Sequence, residues 1–360
     1  MQTSGLNFSD NAQLKKKLGN NELEISVFGR GYGECIVIGC KGDDYIVVDS
    51  FLNPETQNPI ALDYLRSMGV PSTAIKTVLL THWHTDHISG VERILSSCNA
   101  DLMLSPVLSA SVFQEVIGRE MKRKRPSTTE YTKVLNFIKE NKKKICFVAK
   151  DKNIYYGDDG DIQIFSLTPS DMEFCEYLEF LTSKYKENDL ISYDFLDDNM
   201  LSIVLLIKQL KKGVLLGSDL ESGSSEHGWV ELVNNYRYKD VKPSVFKIPH
   251  HGSENGHNDL LWKNVLQDKP TSVLTVFNKS TGLPKTKDIE RIVGLSNRLF
   301  VVGERPKKDK DLLRQIRKTQ LSEVSIITLP QKVGLLRYRC SIDNGEERFE
   351  GFGAVEEYSK

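Results

Sequence analysis

Only seven histidines occur in the 360 residues, and six of them fall into two short groups. His82, His84 and His87 form one group; His250, His251 and His257 form the other. Each begins where an apolar, β-branched run ends: residues 77–81 (TVLLT) before the first and 244–248 (SVFKI) before the second. Polar groups gathered at strand ends are the usual place for chemistry in open α/β sheets. A fold that serves both groups has to bring these two strand ends together.

The first group reads His82-x-His84-x-Asp86-His87. Side chains of an extended segment alternate with a period of two, so His82 and His84 share one side. Asp86 and His87 follow the turn and can face a second point nearby. One hexapeptide can thus supply ligands to two adjacent ions. Imidazole together with carboxylate suits Zn2+, or Mn2+ and Fe where oxygen ligands dominate. Elsewhere, His227 reads as a surface residue of a Ser/Glu-rich segment and His257 as a helix-start residue.

The flanking pattern predicts strands over 23–29, 35–39, 44–49 and 77–81, with helices at 60–68 and near 91–97. The middle of the chain is charge-segregated. Residues 115–152 hold twelve Lys/Arg against five Asp/Glu, including Lys122-Arg123-Lys124-Arg125, whereas 153–199 hold two against twelve. Such runs are most often solvated helix faces. The pattern there predicts helices at 108–120, 128–141 and 171–186, and short strands near 145–148 and 162–167. Strands then return at 201–207, 213–217, 244–248, 272–277 and 299–302, with helices at 226–237, 286–294 and near 309–318. C-terminal strands are expected at 324–329, 334–340 and 346–350. Runs of strands joined by crossover helices describe a layered α/β protein.

Composition sets outer bounds. With 48 Lys+Arg against 49 Asp+Glu the net charge is −1, which argues against a generally basic nucleic-acid binder but leaves room for a local basic groove. At 39% hydrophobic and 27% charged residues, neither a disordered chain nor a fibrous repeat is expected. The longest apolar stretches, such as 201–207, are strand-sized, so no membrane span is expected. Residues 1–11 lack a basic-then-apolar signal, and none of the six cysteines forms a CxxC pair. The expectation is a cytoplasmic protein with reduced thiols.

The segment THWHTDHISG (81–90) resembles the THxHxDHxGG signature of the metallo-β-lactamase superfamily. Asp49, ending YIVVD, matches the family's first motif; Asp219, in LLGSDL, matches its bridging aspartate; His250, in FKIPH, matches its last histidine. Finer features resemble the ComEC-like (competence protein) branch. KIPHHGS (247–253) is similar to its K-x-x-HHGS, FGRGYGEC (28–35) to its VGQGD segment with Glu34 in place of Asp, and NMLSIVL (199–205) to its N-x-x-S-V/L-V-L strand. One departure from most superfamily hydrolases is that no histidine occurs between Ile88 and Glu226.

This resemblance implies an αββα sandwich, two mixed sheets flanked by helices, over residues 21–360. A short N-terminal extension (1–20) would precede it, and a charged, mostly helical insertion (about 105–195) would border the site. It also implies two divalent ions, Zn2+ first and Mn2+ second. One would take Asp86, His87, His250 and the bridging Asp219. The other would take His82, His84, Asp219 and solvent, aided by Asn199 or Asp198, and would bind more weakly. Asp49 would stand behind the ligands and hold a histidine in one tautomer, and Glu34 would also stand behind them. Asp86 would orient the nucleophile, while His251 and Ser253 would contact a substrate phosphate or protonate a leaving oxygen. Asn199 is a further substrate-binding candidate. The activity implied is metal-dependent phosphodiester hydrolysis on a nucleic acid or nucleotide. The alternatives are hydrolysis of a small ester, lactone or cyclic nucleotide, and a non-catalytic metal-binding component of a defence or stress-response complex that docks a protein partner through the insertion.

Overall fold

The computed structural model describes residues 6, 8, 11–41, 44–105, 126–186, 199–210, 212–223, 226–279, 282–305 and 332–359. The helices expected at 108–120 and near 309–318, the strand at 324–329, the Lys122–Arg125 run and Asp198 lie outside the described residues.

Sixteen strands are described, and they divide into two sheets of eight. The first sheet takes β1 (Glu22–Gly29), β2 (Glu34–Cys40), β3 (Asp44–Val48), β4 (Ile75–Leu80), β5 (Asp101–Leu104), β6 (Ile145–Phe147), β14 (Gly334–Ser341) and β15 (Glu347–Gly353). Their order is β15-β14-β1-β2-β3-β4-β5-β6, antiparallel from β15 to β3 and parallel from β3 to β6. The second sheet takes β7 (Asn153–Tyr156), β8 (Ile162–Ser166), β9 (Leu205–Gln209), β10 (Lys212–Leu216), β11 (Val245–Lys247), β12 (Thr271–Thr275), β13 (Arg298–Val302) and β16 (Val355–Ser359). Their order is β16-β13-β12-β11-β10-β9-β8-β7, parallel from β13 to β10 and antiparallel at both flanks.

Burial follows from the strand alternation. Ile25, Val27, Ile36, Ile38, Ile46 and Val48 of the first sheet face Ile164, Leu205, Ile207, Val214 and Leu216 of the second, forming a central apolar layer. The other face of the first sheet packs Val37, Val47 and Val78 on the helices Ile60–Ser67 and Val91–Ser97. The outer face of the second packs Leu206, Leu215 and Phe246 on the helices Gly228–Asn234 and Thr286–Leu295. Two mixed sheets thus lie face to face between helical layers, an αββα sandwich. Strands buried on both faces are nearly continuous apolar runs, which is why they stand out in the sequence.

The expected strand 201–207 is corrected by its hydrogen bonds. Residues Asn199–Leu201 form a 3-10 turn, and β9 starts only at Leu205. The Ile203 N–H donates to the Thr81 carbonyl (3.1 Å) and the Val204 N–H to Thr168 Oγ1 (2.9 Å), so these residues cross between the sheets instead of extending the ladder. That crossing ties the first histidine segment to the second sheet. Among the described residues no helix is long and apolar enough to cross a membrane.

Candidate metal centre

The site lies at the carboxyl ends of β3, β4, β10, β11 and β12. Directly after β3, Asp49 adopts a left-handed backbone (φ 57°). Its Oδ1 accepts the Thr81 backbone N–H (2.8 Å) and its Oδ2 the Thr81 hydroxyl (2.7 Å). The same Oδ2 lies 2.7 Å from His87 Nδ1, so this nitrogen is the donor and Nε2 is left to face the site. Thr81 has spent its proton on Asp49. It can therefore only accept from His82 Nδ1 (2.9 Å), which sets the Nε2 of His82 inward as well.

Alternation along the segment after β4 sends Trp83 into the helix-side core and brings His82 Nε2 within 2.7 Å of His84 Nδ1. The helix Pro126–Glu140 braces this segment from outside: Tyr131 donates to the Trp83 carbonyl, and Glu130 accepts the Gly90 N–H at 3.1 Å. Gly90 sits at φ 86°, and a Cβ there would approach Leu52 to 2.6 Å, so the motif's final position is restricted to glycine.

Asp219, beyond β10, points its Oδ2 at three imidazoles: His87 Nε2 at 3.6 Å, His251 Nε2 at 3.7 Å and His82 Nε2 at 3.9 Å. Asp86 Oδ2 is 3.6 Å from both His87 Nε2 and His251 Nε2. These ligand atoms form two adjacent sets, His82, His84 and Asp219, and Asp86, His87 and His251, and a third, Asp49, His82 and His87, shares a histidine with each; every set lies within 4.8 Å. His87 Nε2, His251 Nε2 and Asp219 Oδ1 are buried without a hydrogen-bond partner. Stranded polar atoms of this kind cost free energy unless something fills the gap between them. The donors are imidazole nitrogens and carboxylate oxygens aimed at common points, so they fit divalent cations of the zinc type.

The electrostatics agree. Burial pushes the Asp86 and Asp219 carboxyls upward, but neighbouring histidines override it and hold Asp86 at about 2 and Asp219 well below the usual range. Burial depresses His87, yet Asp219, Asp86 and Asp49 raise it well above an ordinary imidazole. His82 is held well below that range, first by burial and then by His87 and His84. A buried set of carboxylates demands positive charge at its centre.

The second histidine group corrects one expectation. His251, and not His250, is the residue brought against Asp86, His87 and Asp219. His250 and His251 are both left-handed (φ 45° and 50°), so the chain turns twice in succession and strand alternation cannot be counted through them. His251 is buried, with Nδ1 3.1 Å from Thr275 Oγ1 and its ring stacked on Phe277. Its Nδ1 thus turns to Thr275, and its Nε2 points at the Asp86 and Asp219 carboxylates. His250 sits at the rim, its Nδ1 3.3 Å from Glu221 Oε1. Burial lowers His250, but Glu221 raises it above the usual imidazole range.

Glu221 was not among the expected site residues, although it stands two positions after Asp219. Its Oε1 also accepts from Asn199 Nδ2 (3.1 Å) and Asn255 Nδ2 (3.0 Å). Asn199 and Ser253 therefore reach the rim through Glu221 and Asn255, since the Ser253 hydroxyl bonds Asn255. Glu34 lies behind His251: it accepts the Thr275 hydroxyl at 2.5 Å. Away from the cluster, His257 pairs with Asp259 (3.0 Å) and His227 with Glu176. Four left-handed non-glycine residues, Asp49, Ser218, His250 and His251, border the cluster. Strain of this kind costs about 1–3 kcal/mol each and gathers where geometry is imposed by function.

No curated protein matches the sequence. Among solved structures, the chain is similar to Igni18, described as a novel metallo hydrolase from the hyperthermophilic archaeon Ignicoccus hospitalis. The two share 14% identity over 80% of this chain and 97% of that one, with a TM-score of 0.40. It is also similar to the MIM-2 metallo-beta-lactamase, at 15% identity over 67% and 77% of the two chains and a TM-score of 0.36. These values are too low to carry an activity across. Residues 28–142, which hold Asp49 and the complete His82–His87 segment, match the family model described as Metallo-beta-lactamase superfamily. Fold and sequence together give two mixed sheets flanked by helices, consistent with a metallo-β-lactamase sandwich, in a chain whose residues 28–142 match that superfamily's model.

Proposed function

We propose that this protein is a metal-dependent hydrolase of phosphodiesters, with a nucleic acid or nucleotide as substrate. The observation that carries the reading is the convergence of His87 Nε2, His251 Nε2 and Asp219 Oδ1, all buried and unpartnered, between the His82/His84 pair and Asp86. His82, His84 and Asp219 would hold one ion, and Asp86, His87, His251 and Asp219 its neighbour. Zn2+ suits the donors first, with Mn2+ second. Bound there, such ions supply an acidified water and a counter-charge for oxygen atoms that gain charge during hydrolysis.

The chain's own groups do the rest. Asp49 and Thr81 fix the tautomers of His87 and His82. Asp86, held ionised, orients a water against the scissile atom. His250, fixed by Glu221 at the rim, donates to a substrate oxygen.

Substrate preference rests on the mouth and on the ComEC-like segments. The exposed Lys279 places its ammonium 3.7 Å from the ring centre of Tyr32, whose hydroxyl bonds Thr85 beside Asp86. Phe277 lies next to both Tyr32 and His251. An aromatic platform with an ammonium suits a planar base and its phosphate.

The test is metal analysis of the purified chain combined with turnover of a chromogenic phosphodiester, labelled DNA and RNA, cyclic nucleotides, a lactone and a β-lactam. Asp86→Ala should abolish phosphodiester cleavage. Turnover of the lactone or β-lactam alone would overturn the substrate class, and failure to take up metal would overturn the reading altogether.

A further inference from the structure

Behind His251 runs a line of buried polar groups that neither strand pattern nor ligand chemistry requires. Lys247 Nζ forms a salt bridge with Glu34 Oε1 at 2.7 Å, and both side chains are at most 2% exposed. Glu34 Oε2 accepts the Thr275 hydroxyl proton (2.5 Å), and Thr275 Oγ1 lies 3.1 Å from His251 Nδ1. Lys247 also donates to the Ser218 carbonyl (3.2 Å), one residue before Asp219. An ammonium taken out of water is costly unless paired. Its presence under the candidate site therefore asks for a role.

Proton counting supplies one. A threonine hydroxyl has a single proton, and here it goes to Glu34. Towards His251, Thr275 can then only accept, as can its own carbonyl oxygen 3.3 Å from the same nitrogen. His251 Nδ1 must carry a proton, and Nε2 must present a lone pair towards Asp86 and Asp219. We infer that Lys247, Glu34 and Thr275 are positioning residues that lock the tautomer of His251, and that Lys247 also ties the Asp219 loop to the same anchor. Asp49 and Thr81 do the equivalent for His87 and His82 within the first sheet, whereas Glu34 reaches from β2 of the first sheet to Lys247 and Thr275 of the second. This inference rests on the metal-site reading above.

Glu34→Gln is the discriminating change. The side-chain carbonyl of Gln would turn to the Lys247 ammonium, leaving its NH2 to donate to Thr275. The hydroxyl would then swing round to donate to His251 Nδ1, moving the imidazole proton to Nε2. Long-range 15N–1H correlations on 15N-histidine-labelled, metal-free protein, recorded at alkaline pH, read this directly. Wild type should show His251 as Nδ1–H and Glu34→Gln as Nε2–H. Zn2+ affinity, measured by competition with a chromophoric chelator, should fall about 10–100-fold in Glu34→Gln. Thr275→Val should weaken Zn2+ similarly, while Thr275→Ser, which keeps the hydroxyl, should restore it. Should Glu34→Gln fail to fold, the threonine pair still decides the matter.

An unchanged tautomer with wild-type Zn2+ affinity in folded Glu34→Gln, or equal affinities for Thr275→Val and Thr275→Ser, would overturn the lock. A wild-type chain that takes up no Zn2+ while showing the Nδ1–H tautomer would instead overturn the metal reading alone.

Discussion

The imidazole of His87 and the carboxylate of Asp49, 38 residues apart in sequence, meet at 2.7 Å and are both almost fully buried. The contact joins the end of β3 to the short helix Thr85–Ile88. It gives Asp49 a task that a residue merely ending a strand would not need. Asp49→Asn would let the amide donate to His87 and reverse the imidazole. Zn2+ affinity should drop about 10–100-fold with the fold retained, as measured by chelator competition alongside circular dichroism.

His250 and His251 should behave oppositely when each is replaced by alanine. His251→Ala removes a nitrogen from the cluster and should weaken metal binding by at least about tenfold, the lower range for losing even an outer partner of a ligand. His250→Ala should leave metal content near wild type and raise KM, since its imidazole stands at the rim beside Glu221. Metal stoichiometry of the two purified variants checks the assignment.

A structural ion pair lies on the far side of the first sheet. Arg339 Nε donates to Glu24 Oε2 at 2.8 Å, and Glu24 Oε1 accepts from Ser26 (2.9 Å) and Tyr64 (2.7 Å). Both charges are buried, so Glu24→Ala strands a guanidinium. The expected loss is about 3–5 kcal/mol of stability, readable in urea unfolding, with metal affinity unchanged while the chain stays folded.

The pH dependence of stability should carry a signature of His227. Its hydrogen bond to Glu176 raises the imidazole above its ordinary range. A raised folded value means that the stabilisation is complete below the unfolded value of about 6.5 and disappears as pH rises through the folded one. The melting-temperature gap between wild type and His227→Gln should therefore be widest near about pH 6 and close towards about pH 9. A gap that widens with pH would contradict the pairing.

Much of this was legible in the residues. His82 and His84 share a side because strand alternation holds up to the turn, and the parallel strands stand out because burial on both faces makes them apolar throughout. The choice between His250 and His251 was not legible, since two left-handed residues in succession erase the count. Lys247 stood out only as the first residue of KIPHHGS, and Thr275 did not stand out at all. Their importance lies in contacts with Glu34, 241 positions from Thr275, and a hydroxyl or ammonium carries no periodic signal. β16 escaped notice because Val355–Ser359 is largely exposed and polar, as befits the outermost strand of a sheet.

The last described strands are shared out between the two layers. β14 runs along the whole of β1 from Glu22↔Ser341 to Gly29↔Gly334, whereas β16, which follows β15, zips onto β13. During synthesis, β1 must wait for β14 before its open side is covered. Neither half of the sandwich can close on the ribosome until residues 334–359 have emerged. An early stop between Val302 and Gly334 would leave β1 and β13 each with an open side.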